Sequence, residues 1–267
     1  MGSVPVPQLV ATDLDGTLVR SDGTVSARTV RALRAVERAG AAVVFVTGRP
    51  PRWLAEVVEA TGHTGLAVCA NGAVLYDLHT ERVLETFPLA EEVGLAVVRA
   101  LRAALPEVGF AVETEAGFGH EAGYVPRWPP PQARVAPVEE LLDAPAVKLL
   151  ARHGGLDADE LLAAAREVVG DLVECTHSSR DGLVEISASG VSKASTLARV
   201  CAERGLGAPD VLAFGDMPND LPMLAWAGTP YAVANAHPDV LAAVPRRTAS
   251  NDEDGVAQVL ERLYPVA

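Results

Sequence analysis

The sequence predicts an α/β protein in which an open parallel sheet, flanked by helices, is interrupted by an inserted α+β domain. Two observations predict this fold class. Short apolar runs of strand length alternate with helix-length segments over residues 1–81 and again over residues 187–267. Between residues 82 and 186 this alternation loosens. Because parallel neighbours need a crossover connection, a βαβαβ order favours a parallel sheet with helices on both faces.

The first half of the sheet domain can be assigned element by element. Buried strands are expected at residues 9–12, 41–46 and 66–69. Ser26 can cap the helix after the first strand, and Gly40 can end it. Pro50 and Pro51 fit the first turn of the next helix, which is expected to close at Gly62.

The inserted domain is predicted over residues 82–186. Its helices are expected near residues 90–104 and 158–169, and its strands near residues 110–113, 147–151 and 183–186. A proline-rich loop at residues 126–131 contains Trp128. The sheet domain then resumes, with a helix from the cap Ser192 to Gly205, a strand at 211–214, a helix at 220–227 and a strand at 231–234.

Composition excludes several classes of partner. The net charge is −13 without a basic run, which argues against nucleic-acid binding. No apolar run approaches the ~18 residues of a membrane span, and residues 1–8 do not resemble a signal peptide. The three cysteines form neither a disulfide framework nor a metal-ligand cluster. We therefore expect a cytoplasmic protein without membrane or nucleic-acid partners.

Polar side chains follow the predicted strands at the edge where ligands bind in open parallel sheets. Asp13 and Asp15 follow the first strand, and their carboxylates would repel each other without a cation or a shared proton. Asp157 and Asp159 have the same spacing but stand at a helix start, where carboxylates stabilise the helix dipole. The remaining strand-end and helix-start candidates are Thr47, Gly48, Arg49, Asn71, Lys193, Asp216, Asn219 and Asp220.

Lys193 is informative because a cation in the first turn of a helix is disfavoured by the dipole. A bound anion would reverse that effect, since the helix N-terminus and the ammonium would both attract it. Carboxylates, a threonine hydroxyl and a lysine at one edge suit an anion together with a hard divalent cation.

Four short motifs carry a family resemblance. They are Asp13-Leu14-Asp15-Gly16-Thr17-Leu18, Thr47-Gly48-Arg49, Lys193, and Gly215-Asp216 with Asn219-Asp220. In this order they resemble the haloacid dehalogenase superfamily of phosphotransferases, and their spacing resembles the Cof-type phosphatases. The resemblance implies a Rossmann-like catalytic core at residues 1–81 and 187–267, with an α/β cap at residues 82–186 that contacts the substrate.

The resemblance also implies roles. The catalytic groups would be Asp13, Asp15, Thr47 and Lys193. Substrate contacts would come from Thr47, Gly48, Arg49, Asn71, Lys193 and Asn219. Magnesium would be bound by Asp13, the Asp15 backbone carbonyl, Asp216 and Asp220. Asp13 would form an aspartyl phosphate, while Asp15 would protonate the leaving oxygen and then deprotonate water.

The expected substrate is a small phosphorylated metabolite. Sugar phosphates are favoured, followed by phosphorylated vitamins such as pyridoxal phosphate or flavin mononucleotide. Candidate specificity residues in the cap are Phe118, His120, Tyr124 and Trp128. The assembly is expected to be a monomer or a homodimer.

Three alternatives remain open at this point. A phosphomutase would use the same aspartyl phosphate but return the group to its substrate. A non-catalytic binding protein would be expected to have lost Asp13, Asp15 or Lys193, and all three are present. A phosphoacceptor signalling domain also phosphorylates a strand-end aspartate, but the inserted domain and Asp15 argue against it.

Overall fold

The computed structural model describes residues 6–127, 130, 132–179 and 181–265. Its strands are β1 Leu9–Thr12, β2 Ala42–Val46, β3 Leu66–Cys69, β4 Val74–Asp77, β5 Arg82–Thr86, β6 Gly109–Thr114, β7 Gly117–His120, β8 Arg134–Val135, β9 Ala146–Arg152, β10 Val173–Thr176, β11 Leu183–Ala188, β12 Val211–Gly215 and β13 Thr229–Ala232. Its helices are α1 Ala27–Arg38, α2 Ala55–Thr61, α3 Glu91–Ala104, α4 Val138–Leu141, α5 Ala158–Val169, α6 Lys193–Glu203, α7 Leu221–Trp226, α8 Pro238–Ala243 and α9 Gly255–Leu263.

The chain forms two compact units, one from Met1–Glu85 with Ser192–Ala267 and one from Thr86–Val191. The boundaries expected from the sequence, at residues 82 and 186, fall inside β5 and β11. The two compact units divide a few residues further along the chain, after Glu85 within β5 and after Val191 beyond β11.

The first unit contains a seven-stranded sheet in the order β13-β12-β1-β2-β3-β4-β5. Strands β13, β12, β1, β2 and β3 run parallel to one another, as the sequence predicts. Strand β4 returns antiparallel to β3, and β5 follows it at the edge of the sheet. Neither strand was predicted. For β5 the reason is that it is largely exposed and includes the exposed side chains of Val83 and Leu84.

Local chemistry explains the helix ends. The Ser26 side chain accepts a hydrogen bond from the Thr29 amide at the start of α1, and Gly40 follows the helix with a φ of +83°. The helix expected from Pro50 is interrupted: Pro51–Trp53 forms a 3₁₀ turn, and α2 begins only at Ala55. Gly62 ends α2 in the left-handed conformation, as predicted.

The second unit contains a six-stranded sheet in the order β10-β11-β9-β6-β7-β8. Its apolar core includes residues of α3 and α5 together with alternate strand residues such as Phe110, Leu149 and Ile186. The predicted α3, α5, β6, β9 and β11 are present; short β7, β8, β10 and α4 were not predicted.

The opposite face of this second sheet carries polar and aromatic side chains. Glu113 lies opposite Lys148 in the β6/β9 register, and the Lys148 ammonium donates to Glu185 at 2.5 Å. Both partners are buried. The candidate specificity residues Phe118, His120 and Tyr124 lie together, with ring centroids 5.9–6.4 Å apart. Trp128 lies outside the described residues.

None of the helices within the described ranges is both long and apolar enough to cross a bilayer.

Candidate active site

The carboxyl ends of three parallel strands bring the candidate residues together in the first unit. Asp13 directly follows β1, Thr47 follows β2 and Asp216 follows β12. Strand β1 pairs with β2 on one side and with β12 on the other. The site is therefore built at the centre of the sheet, from segments that are distant in sequence.

Lys193 contacts two of the aspartates of the site. Its ammonium donates to Asp13 Oδ1 and to Asp220 Oδ1, each at 2.6 Å. The Lys193 side chain is fully buried, and the two carboxylates are nearly so. Ser192 caps α6 through the Ser195 amide, which fixes the helix start that delivers the lysine. The cation in the first helical turn is thus compensated by two carboxylates.

Asp216 and Asp220 are held by donors from the protein. The Thr17 hydroxyl donates to Asp216 Oδ1 at 2.7 Å. Asp220 Oδ2 accepts the backbone N–H groups of Asp216 and Met217 at 2.9 and 3.0 Å. Since Lys193 occupies the other oxygen, both oxygens of Asp220 are engaged by the protein.

The loop after β1 is tightly turned next to Asp216. Leu14 accepts the N–H groups of Thr17, Leu18 and Val19 through its carbonyl. Gly16 has a φ of +78°, and a Cβ at this position would lie 2.5 Å from Asp216 Oδ2. Only glycine therefore allows the loop to approach this carboxylate so closely.

The electrostatics of the cluster disfavour three ionised carboxylates. Burial raises the pKa of Asp13 well above its ordinary value, and Lys193 opposes that shift. Burial, assisted by the charge of Asp220, raises the pKa of Asp216 to about 7. Burial also works against the charged form of Lys193, but Asp13 and Asp220 outweigh it and raise the pKa of the ammonium.

The cluster fits a divalent metal ion. Asp13, Asp216 and Asp220 each offer a carboxylate oxygen within 4.8 Å of the others. One lysine neutralises only one of these three charges, so a hard cation would relieve the remaining repulsion. Lys193 donates to one oxygen of Asp13, and Thr17 donates to one oxygen of Asp216. The other oxygens of these two carboxylates are the ones that could bind a metal. The Asn219 Oδ1 atom nearby is buried, and no described residue donates to it.

The Asp15 carboxylate lies apart from this cluster and binds Arg49. Arg49 Nη2 donates to Asp15 Oδ1 at 2.5 Å, and Arg49 Nε donates to Asp15 Oδ2 at 2.8 Å. Asp15 was expected to bind metal through its backbone carbonyl, and that role remains a prediction. Gly48 lies between Thr47 and Arg49 in the loop after β2, and Thr47 Oγ1 accepts the Arg49 amide at 3.0 Å.

Asn71 and Asn219 form a second polar contact of the site. The Asn219 side-chain amide donates to Asn71 Oδ1 at 3.0 Å, and both side chains are buried. Ala70 and Asn71 both have left-handed backbone conformations, with φ of +50° and +57°. Two such residues in succession are uncommon and carry backbone strain.

Sequence reasoning missed three residues that hold the site. Thr17 orients Asp216; Asn235 donates to the Gly16 carbonyl at 2.7 Å; Asn251 donates to the Val19 carbonyl at 2.9 Å. Thr17 belongs to the first of the four motifs that carry the family resemblance, and the two asparagines lie in segments 234–236 and 251–257, which also resemble the family. Their partners could not be identified without the fold.

Known proteins resemble this chain along nearly its whole length. The sequence model of a family described as haloacid dehalogenase-like hydrolase matches residues 10–260. The chain is 30% identical to the pyridoxal phosphate phosphatase YbhA of Escherichia coli, covering 95% of this chain and 97% of that protein. It is 27% identical to the 5-amino-6-(5-phospho-D-ribitylamino)uracil phosphatase YitU of Bacillus subtilis, covering 97% and 98%. The crystal structure of SMU.1108c from Streptococcus mutans has the same fold, with a TM-score of 0.82 at 23% identity, covering 96% and 98%.

Proposed function

Because the chain belongs to the haloacid dehalogenase-like hydrolase family, we propose that it is a magnesium-dependent phosphatase that carries the phosphoryl group on Asp13. One observation carries the proposal, which is the position of Asp13 directly after the central strand β1. Its carboxylate accepts a hydrogen bond from the buried Lys193 and clusters with those of Asp216 and Asp220. The direct experiment is the detection of phosphate on Asp13.

In the first step, an Asp13 oxygen attacks phosphorus and the bond between phosphorus and the leaving oxygen breaks. Attack requires the ionised carboxylate, which burial disfavours and Lys193 favours. Lys193 has three N–H groups and uses two on carboxylates, so the third can bind a phosphoryl oxygen. The Thr47 hydroxyl accepts the Arg49 amide, which leaves its hydrogen for another phosphoryl oxygen.

Asp15 handles the protons in this proposal. Asp15 begins the cycle in its protonated form, and in the first step it gives this proton to the leaving oxygen, so that an alcohol departs. In the second step it takes a proton from water as the water oxygen attacks phosphorus and the bond to Asp13 breaks. Inorganic phosphate and the original carboxylate of Asp13 are then restored. The Asp15 side chain is half exposed, which leaves it accessible to both the alcohol and water.

Magnesium would be held by the oxygens of Asp13 and Asp216, with Asp220 and Lys193 organising the cluster. When bound, it supplies positive charge that offsets the buried carboxylates and the phosphoryl oxygens. Asn219 offers a buried oxygen acceptor beside this group. The all-oxygen donor set of the cluster supports magnesium as the proposed ion.

For the substrate, we propose a small phosphorylated metabolite. The sequence favours sugar phosphates first. The two curated relatives described above are instead named for pyridoxal phosphate and for a phosphoribitylaminouracil. We therefore place these two compounds ahead of sugar phosphates in a screen.

The test measures phosphate release from p-nitrophenyl phosphate and from the candidate metabolites, with magnesium and after exhaustive chelation. We expect release to require magnesium and to be lost in Asp13→Asn. Asp143→Asn, which changes an exposed aspartate of the second unit, is the control that should keep full activity.

Asp15→Asn separates the two chemical steps. p-Nitrophenolate leaves without a proton donor, so this variant should still phosphorylate Asp13 but lose about 10²–10⁴-fold in hydrolysis of the intermediate. An initial burst of nitrophenol and added phosphate mass on the peptide that contains Asp13 are expected. Full activity after chelation, or a phosphate label on another residue, contradicts the proposal. Phosphate returned to the substrate as an isomer instead of released would identify a phosphomutase.

A further inference from the structure

The two aspartates of the loop after β1 have different partners. The Asp13 carboxylate accepts a hydrogen bond from the buried Lys193, whereas the Asp15 carboxylate accepts hydrogen bonds from Arg49. The Arg49 contact is bidentate: Nε and Nη2 each donate to a different oxygen of the same carboxylate, at 2.8 and 2.5 Å. This fork-to-carboxylate geometry fixes both the position and the plane of the acceptor.

Arg49 is itself fixed by the protein. Its Nη1 atom donates to the Trp53 carbonyl at 3.0 Å, and its backbone amide donates to Thr47 Oγ1. Its own carbonyl accepts the Ala70 amide at 3.0 Å. The guanidinium is therefore held by the loop after β2 and by the 3₁₀ turn Pro51–Trp53, and its position does not depend on Asp15 alone.

Asp15 has no comparable burial. Its side chain is 56% exposed, against 19% for Arg49. An exposed aspartate rotates readily about its side-chain bonds, and proton transfer tolerates little displacement. The edge of the guanidinium formed by Nε and Nη2 is already used on Asp15, so a phosphoryl group could take that edge only by displacing the carboxylate.

We propose that Arg49 is a positioning residue, which holds the Asp15 carboxylate where it exchanges protons with the leaving group and with water. This differs from the sequence-based expectation, in which Arg49 contacts the substrate. The inference rests on the proposed acid–base role of Asp15. The Thr47-Gly48-Arg49 motif then has two roles: Thr47 donates a hydrogen bond to the phosphoryl group, and Arg49 positions the proton donor Asp15.

The two roles for Arg49 predict different kinetics. A positioning residue matters most when the leaving group needs a proton, so its loss should affect phenyl phosphate more than p-nitrophenyl phosphate. A phosphoryl contact acts on both substrates equally, and its loss should also weaken inhibition by inorganic phosphate. The dependence on leaving group and the inhibition constant of phosphate therefore distinguish them.

The experiment compares Arg49→Met and Arg49→Lys with the wild-type protein on a series of substituted phenyl phosphates. For Arg49→Met we expect kcat/KM to fall at least about tenfold more for phenyl phosphate than for p-nitrophenyl phosphate, with phosphate inhibition unchanged. Arg49→Lys keeps the charge but cannot make both contacts, so it should show the same selective loss. Thermal unfolding checks that each variant is folded.

The control is Arg52→Met, which removes an exposed arginine of the same segment whose guanidinium lies 5.1 Å from the centre of the Trp53 ring. Its leaving-group dependence should equal that of the wild type. Full recovery by Arg49→Lys would overturn the inference, because charge alone would then suffice. An equal loss on all substrates with weaker phosphate inhibition would also overturn it.

Asp15→Asn distinguishes failure of this inference from failure of the proposed function. If its loss is selective for poor leaving groups, the acid–base role stands, and the double variant Asp15→Asn/Arg49→Met should show no further selective loss. A further selective loss in the double variant would mean that Arg49 acts independently of Asp15, and the inference would fail alone. If Asp15→Asn loses kcat/KM equally on all substrates, the acid–base role fails and the inference fails with it.

Discussion

At the scale of single residues, Lys193 shows how burial changes the meaning of a sequence position. From the sequence, a lysine in the first turn of a helix opposes the dipole, and its removal would be mildly stabilising without a ligand. In the structure the ammonium is fully buried between Asp13 and Asp220. The interaction with two carboxylates outweighs the dipole, so the expected sign of the stability change is reversed.

We predict that Lys193→Met lowers the free energy of unfolding by about 3–5 kcal/mol, because it leaves buried carboxylates without their cation. Denaturant unfolding at constant pH measures the change. The control is Arg199→Met in the same helix, whose exposed ion pair with Glu85 should contribute less than about 1 kcal/mol. Similar losses in the two variants would contradict the assigned role of Lys193.

His63 provides a pH-dependent test at the same scale. Its buried ring packs against Phe45, with centroids 4.5 Å apart, and the neutral ring donates from Nδ1 to Glu37 at 2.9 Å. Burial lowers the pKa of His63 below the ordinary value of 6.5, although Glu37 opposes the shift. Below pH 6.5 the unfolded chain therefore binds a proton that the folded protein resists, and stability falls.

We predict that His63→Gln reduces this loss of stability below pH 6.5, as measured by denaturant unfolding on both sides of that value. The loss extends from pH 6.5 down to the lowered pKa of the folded protein. His79→Gln, which changes an exposed histidine of the same region, is the matched control. An unchanged pH dependence in His63→Gln would show that another group is responsible.

At the scale of elements, the segment after β3 and the start of α6 are fitted to each other. Gly72 has a φ of +106°, and a Cβ there would overlap the Ser192 carbonyl and lie 3.1 Å from the Lys193 amide. The Thr196 hydroxyl donates to the Gly72 carbonyl at 2.6 Å. The position of Lys193 therefore depends on a glycine far away in the sequence.

We predict that Gly72→Ala destabilises the protein by about 3 kcal/mol or more, from backbone strain and overlap combined, and lowers kcat by displacing Lys193. Gly205→Ala tests strain alone, because Gly205 follows α6 with a φ of +70° and open space around it. It should cost about 1–2 kcal/mol and leave kcat unchanged. For each variant, thermal unfolding measures the change in stability, and phosphate release measures kcat.

Elements that are fully buried could be predicted well from the sequence. Strands β1 and β3 match the predicted residues because both are short apolar runs that are buried along nearly their whole length. Strand β5 was missed because its exposed residues lack such a pattern. The left-handed conformations of Ala70 and Asn71 are tied to the carbonyls of Arg49 and Thr47, which accept their amides, and no local pattern predicts those contacts.

The candidate site shows the same limit. Position at strand ends nominated Asp13 and Asp216, and position at a helix start nominated Lys193; the structure brings these residues into one cluster. The pairing of Asp15 with Arg49 was not predicted, because the two residues are 34 positions apart and both have other plausible partners. Residue type and strand position thus identify the members of a site, but contacts between them require the fold.

At the scale of the whole molecule, the two units differ in how the chain builds them. The second unit is a continuous segment, and its apolar core contains only residues of that segment. The first unit is discontinuous, and its central strand β1 pairs with β12 from the far end of the chain.

We predict that the fragment 86–191 folds alone, since about 100 residues with their own core form a domain of ordinary size. Cooperative thermal unfolding followed by circular dichroism is the measurement. The fragment 1–85 should not fold cooperatively, because β1 lacks β12 on one side. Cooperative unfolding of both fragments would show that the pairing of β1 with β12 is dispensable.

The distance in sequence between partners of the site has a consequence during synthesis on the ribosome. Asp13 precedes Lys193 by 180 residues, and Thr17 precedes Asp216 by 199. At a synthesis rate of roughly 5–20 residues per second, Lys193 is added to the chain roughly 10–40 s after Asp13. The continuous second unit emerges within that interval and can fold first. A nascent chain released early therefore contains Asp13 without Lys193 and Asp216, so the proposed site is incomplete in such a product.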